Sequence, residues 1–482
     1  MKNLTLPIIA LLAMMLTLSP DAGAVLQCRR HDFATTSQAL QSHISNAQQD
    51  AAGFLWFATW NGLVRFDGYN FHTFHPVALS DGALVSNRIY SVRVGSTGNI
   101  WCLSSDNHVF YFDHASMRFI DIQGMIPEID GLRTRTMSVL RNGCLWVLFR
   151  DEAAIRMSDD DPLSCHTFYR AGEGLLADAK HIKSVSHTEL GEEWIITDVA
   201  AVNLSTGKSV KGNYRNVVSA GGMNVALTGS GKAVILNRNL GKAGEEDLFP
   251  AGDAKVTFCT TVNDRIFVAS NRGLSALDAR TGVVTSFPVG SVVSLFQDSR
   301  NRLWCFGEKG ELWLVEPGLR GETRSLVGAA ARLEKPVKHP QLIYENKSGR
   351  VIVRTAGEPL SVYNEETGAL EEIRMMGGVP ESSPSPDIKK YMADDADNLW
   401  IFYDRGADCL TFSEDHFNHT PNPTRNETRA MMADSKGRLW ITDRSNTVEI
   451  RAEGTTRYLG RDGSLSASPT GFTNSSIYTV RE

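Results

Sequence analysis

Asp50-Ala51-Ala52-Gly53-Phe54-Leu55-Trp56-Phe57-Ala58-Thr59 is the stretch whose reading decides the fold. It opens with a carboxylate, and an Asp side chain can accept hydrogen bonds from the amides of the turn that follows it. Gly53, three residues before the tryptophan, is a residue that tolerates positive φ. Leu55 onward is apolar and reads as a short strand on which Trp56 can bury its ring. The unit recurs from Asp298 to Trp304, from Asp394 to Trp400, and from Asp434 to Trp440, where Gly437 takes the place of Gly53. Trp101, Trp146 and Trp194 end weaker copies, and Val225, Phe267 and Ile352 keep the frame with another apolar residue in the tryptophan slot. Successive slots lie 31 to 48 residues apart. With strand-like flanks throughout, that period belongs to propeller blades and not to helical solenoids.

Working outward from the slot, Gly62-Leu63-Val64-Arg65-Phe66 opens a further strand, and Asp67-Gly68 reads as a hairpin turn into a fourth. Each unit is therefore four short antiparallel strands, A to D, and the fold class is all-β. A ring usually holds four to eight blades. The expected division is a seven-bladed β-propeller over residues 25–325, followed over 326–482 by the first three blades of a second, incomplete β-propeller. The glycine- and proline-bearing stretch near 316–340 marks the boundary. An open ring leaves unpaired strand edges, so the chain reads as truncated in its second propeller.

The first 24 residues read as a signal peptide: Lys2, an apolar run from Leu4 to Leu18, and the small residues Ala22-Gly23-Ala24. The mature protein is then exported and begins near Val25. With 42% hydrophobic and 22% charged residues the chain is globular, not disordered. A net charge of −6 and the lack of a basic run give no support to a nucleic-acid partner. The seven cysteines are odd in number and widely spaced, with no C-x-x-C pair. They suggest neither a disulfide framework nor a zinc site, and buried free thiols are expected at Cys102, Cys144 and Cys305.

From Asp50 to Phe71 the sequence is similar to the two-component regulator propeller repeat, and the resemblance extends over roughly residues 40 to 482. That repeat typifies the periplasmic sensor regions of Bacteroidetes hybrid two-component systems. The resemblance implies periplasmic location and sensing of an oligosaccharide or another small ligand. It also implies anchoring in the membrane only through a C-terminal helix beyond this segment, a histidine kinase further on, and homodimers as a possible assembly. It assigns no catalytic residue, cofactor or metal to this segment. The competing expectation is an exported propeller enzyme, a polysaccharide lyase or glycoside hydrolase, which would need convergent titratable residues in the central channel.

Candidate ligand contacts come from the B–C loops, on the face opposite the Asp-x-x-Gly turns: Trp60, Asn61, Asp106, Arg150, Asp198 and Arg272. An aromatic ring can stack on sugar C–H faces while amides, carboxylates and guanidinium groups bond hydroxyls. Trp60 stands out because it lies outside the repeat slot; packing against a neighbouring loop is its alternative role. Solvated turns are the ordinary role of the charged residues. The repeat carboxylates Asp50, Asp298, Asp394 and Asp434 read as structural turns, similar to the Asp-box of sialidase propellers. Gly229-Ser230-Gly231-Lys232 resembles half a P-loop but reads as a hairpin turn, since no helix follows.

Overall fold

The computed structural model describes residues 25–33, 37–76, 82–84, 86–140, 142–250, 252–316, 323–327, 342–355, 359–376, 388–415, 427–452, 455–472 and 477–481. The expected signal peptide, and most of the stretch expected to separate two propellers, lie outside them. The chain forms two compact units, the larger Val25–Glu414 and the smaller containing Asp415–Glu482.

The all-β expectation holds, and the repeat is the architectural unit. In the larger unit the sheets cover 44–74, 89–121, 134–170, 182–211, 214–247, 256–287, 292–327 and 342–372, each with its four strands hydrogen-bonded in chain order. A ninth sheet combines strands 390–393, 399–402 and 407–415 with Val25–Asp32 and the short strand Arg374–Met375. The N-terminal strand thus occupies the D position of the ninth sheet, with Arg374–Met375 paired on its far side. Arg30 bonds Asp408 there at 2.8 Å, and Met376 donates its amide to the Cys28 carbonyl at 2.7 Å.

In the larger unit each slot residue from Trp56 to Ile352 faces the sheet that follows it. Trp56 packs into the core between sheets one and two, Trp101 between two and three, Trp146 between three and four, and Trp194 between four and five. The substitutes Val225, Phe267 and Ile352 behave alike, and Trp304 packs against sheet eight. Trp400 packs with Ile44 and Phe57 of sheet one and with Leu40 just before it, so the cycle of cores closes on itself. Each buried indole removes on the order of 200 Å² from water, an upper bound of about 5 kcal/mol at ~25 cal/mol per Å².

This packing corrects the expected division of the chain. The compact units do not divide near residue 325, as Trp304 and Phe306 of sheet seven share a core with Ile343 and Val353 of sheet eight. Sheets eight and nine, expected to begin a second ring, belong with the first seven. The apolar face that sheet seven leaves open is covered by sheet eight, and the open face of sheet one by sheet nine. The tenth repeat forms its own sheet over 428–466 in the smaller unit.

The turns bear out their sequence reading. The position three before the slot has positive φ at Gly53, Gly98, Asn301, Gly349, Asp397 and Gly437. Asp50 Oδ1 accepts the amides of Ala52 and Phe54 at 3.0 and 2.9 Å, and its Oδ2 takes the Trp56 indole N–H at 2.7 Å. Asp298, Asp394 and Asp434 each repeat that pattern with their own turn and with Trp304, Trp400 and Trp440. One carboxylate therefore closes the turn and satisfies the buried indole donor, which accounts for its recurrence without catalysis. Leu140 and Thr188 occupy the Asp position in sheets three and four, and the indole nitrogens of Trp146 and Trp194 are buried without a partner.

Candidate functional site

Because each sheet is an antiparallel meander, B–C loops and the approaches to strand A share one face. A repeated main-chain bond ties them together. The amides of Trp60, Ser105, Arg150, Asp198 and Asn271 donate to the carbonyls of His43, Arg88, Arg133, His181 and Lys255, the residues just before strand A. Side chains reinforce the tie: Asp151 accepts the Arg133 amide at 2.7 Å, Asp198 the amides of Lys180 and His181 at 3.0 and 3.1 Å, and Asn271 the Lys255 amide at 2.7 Å. These backbone bonds, that from His181 foremost, hold the Asp198 carboxyl below the usual carboxylate range.

The six candidate residues sit on separate sheets apart from the adjacent pair Trp60 and Asn61, and no hydrogen bond or ion pair among the described residues joins any two of them. Trp60 remains 51% exposed. Its ring lies 4.6 Å from that of His43, and the Arg88 guanidinium of sheet two sits 5.6 Å from its centroid. Asn61 Oδ1 accepts a long bond from Asn87 at 3.3 Å. Asp106 accepts the Ser104 hydroxyl and so closes its own loop. The side chains of Arg150 and Arg272 are exposed. Among the described residues no group of three His, Cys, Asp or Glu side chains is placed to hold a metal ion.

The structure adds a feature that the loop reading missed. In the first seven sheets strand A carries a β-bulge at its second residue, shown by register shifts such as Ile89/Ser91, Thr134/Thr136 and Ile182/Ser184. The extra residues are Ser45, Tyr90, Arg135, Lys183, Arg215, Thr257 and Val293. A bulge re-aims its side chain out of the pleat. Three basic residues therefore stand side by side on sheets three, four and five, on the innermost strands. Aligning the slots and reading ten or eleven residues upstream exposes this column in the sequence, where Arg135, Lys183 and Arg215 stand out as its charged members.

No family profile matches the chain, and neither does any curated protein. Among solved structures it is similar to the extracellular domain of the putative hybrid two component system BT3049 from B. thetaiotaomicron. The identity is 17%, covering 95% of this chain and 68% of that one, with a TM-score of 0.38. It is similar in the same way to the extracellular domain of BT4673 from that organism, at 15% identity, 88% and 68% coverage, and a TM-score of 0.37. BamB from Moraxella catarrhalis is also similar, at 10% identity, 82% and 100% coverage, and a TM-score of 0.40. No helix among the described residues is long and apolar enough to cross a membrane.

Proposed function

We propose that this chain is the ligand-sensing, extracytoplasmic part of a hybrid two-component regulator, that it works in the periplasm, and that its ligand is an oligosaccharide. The observation that carries the reading is Trp60. The slot tryptophans from Trp56 to Trp400 are buried between sheets, whereas Trp60 lies on the loop face, half-exposed and flanked by His43 and Arg88. A half-exposed indole beside hydrogen-bonding side chains is the arrangement that stacks on a sugar ring. The repeat carboxylates are committed to turn amides and indoles, which supports sensing over glycoside chemistry for this segment.

A thermal-shift screen of the exported chain against oligosaccharides, followed by product analysis after prolonged incubation, tests this. The expected result is a raised melting temperature with the sugar recovered intact. Trp60→Ala should weaken binding about tenfold with little change in melting temperature, for loss of a stacking contact worth about 1.4 kcal/mol. Steady turnover would overturn the sensing role, and unchanged affinity would remove Trp60 from the site.

A further inference from the structure

A cluster of basic side chains also lies away from the loops. It lines a cavity of about 700 Å³ along the A strands of sheets four to six. Lys183, Ser184, Ser186, His187, Arg215 and Asn216 are among its walls, and no acidic side chain is. Arg135, one sheet upstream, reaches the same rim by bonding the carbonyls of Ile182 and Lys183 at 3.0 and 2.8 Å.

Each cation of this arc is steered by the strand of the next sheet or the residue just before it. Lys183 donates to Asn213 Oδ1 and, at 3.4 Å, to the Tyr214 carbonyl. Arg215 donates to the Thr257 carbonyl at 3.2 Å. All these acceptors are neutral oxygens, and among the described residues no carboxylate is paired with any of the three positive charges. A guanidinium carries five donors, and most of those on Arg215 remain available. Asn216 adds an acceptor: its Nδ2 donates to Cys259 Sγ at 3.0 Å, while its Oδ1 is buried without a partner. A buried amide oxygen left unbonded costs free energy unless a donor arrives to meet it.

We infer that this channel wall is a binding site for an acidic oligosaccharide, whose carboxylate or sulfate groups meet Lys183, Arg215 and Arg135 and whose hydroxyls meet Asn216, Ser184 and Ser186. Charge-assisted bonds to carboxylate and sulfate are about twice as strong as neutral ones, which favours an anionic sugar over a neutral one here. The inference rests on the saccharide-sensing reading for the hydroxyl-bearing part of the ligand, and on the arc alone for its charge.

Calorimetric titration of the exported chain with three probes tests it: an oligogalacturonate, a heparin-derived oligosaccharide and a neutral cello-oligosaccharide. One or both acidic probes should bind, and the pair distinguishes carboxylate from sulfate recognition. Affinity should fall as salt rises from about 0.05 to 0.3 M, as expected for charge pairs open to solvent. Lys183→Gln with Arg215→Gln should weaken binding by about tenfold or more. Should the double variant not fold, Lys183→Gln alone serves, because among the described residues its ammonium bonds only Asn213 and Tyr214. No binding by either acidic probe overturns the inference, as does acidic-probe binding that the variants leave unchanged. A neutral probe that binds alone, and is lost in Trp60→Ala but not in Lys183→Gln, overturns this site while leaving the sensing role intact.

Discussion

Asp159 fills the place of the side chain that Gly95 lacks. Gly95 stands six residues before Trp101, where the strong repeats carry Asp, and a Cβ there would collide with the Asp159 carboxylate. Asp159 comes from the C–D turn of the next sheet, yet it takes over the indole bond and one of the two turn-amide bonds. It accepts the Trp101 indole N–H, and Thr97 donates to it from its amide and its hydroxyl, both at 2.7 Å. The sheet seven turn shows a related cross-sheet clamp, where Arg302 bonds Asp298 at 2.7 Å and Glu365 of sheet eight at 2.8 and 2.9 Å.

A swap should therefore be tolerated where single changes are not. Asp159→Ala leaves the Trp101 donor buried and unpaired, a loss of about 1–3 kcal/mol. Gly95→Asp alone crowds the site and sets two carboxylates together. Combining Gly95→Asp with Asp159→Gly restores the in-chain turn and should recover most of the stability in urea unfolding. A double variant no more stable than the worse single would refute the stand-in role.

The ring-closing strand has a pH signature. Asp408 is fully buried, and burial raises its carboxyl above the ordinary value of 3.8, against the opposing bonds from Tyr403 and Arg30. The folded state then holds this proton more tightly than the unfolded chain. The contribution of Asp408 to stability is greatest below 3.8, declines as pH rises to its folded value, and is flat above that. Arg30→Met removes the cation, so the folded value climbs further and the decline extends to higher pH. The variant should lose about 3 kcal/mol near neutrality and much less in acid. Melting temperatures of both proteins across pH 3–8 check this, and a pH-independent difference would contradict it.

Where the chain can be cut follows from the cycle of cores. Residues 25–414 should express as a cooperatively unfolding protein. Residues 25–325 should be insoluble or molten, because Trp304 and Phe306 on one side and Leu40, Ile44 and Phe57 on the other would lose their cover. A stable, monomeric 25–325 would instead favour a self-sufficient ring of seven sheets.

Thiol reactivity should separate the cysteines. All seven are free, and Cys165 is exposed. Burial pushes the thiols of Cys28 and Cys409 up to about 12 and raises those of Cys102 and Cys305 as well. Alkylation of the native protein at pH 8 should mark Cys165 first and the four buried thiols only after unfolding, as peptide mass mapping would read. Early labelling of Cys28 would show that the N-terminal strand detaches.

The sequence by itself determined everything that a single repeat can express. The left-handed turn position, the Asp that closes it, the strand after it and the tryptophan slot all act within a few residues, and Val225, Phe267 and Ile352 were legible as substitutes because local spacing places them. What only the tertiary structure decided depends on neighbours distant in the chain. Asp159 could not be assigned to Trp101, since a C–D turn says nothing about which sheet it will touch. Nor could Val25–Asp32 be recognised as the fourth strand of the ninth sheet, as pairing partners more than 370 residues apart leave no local pattern. The number of sheets in one unit was likewise beyond reach, because closure depends on whether Trp400 can meet Phe57. The basic arc was hidden for the same reason. Arg135, Lys183 and Arg215 follow one another at 48 and then 32 residues in sequence, and only the stacking of successive A strands, each bulged at the same place, sets them along one wall.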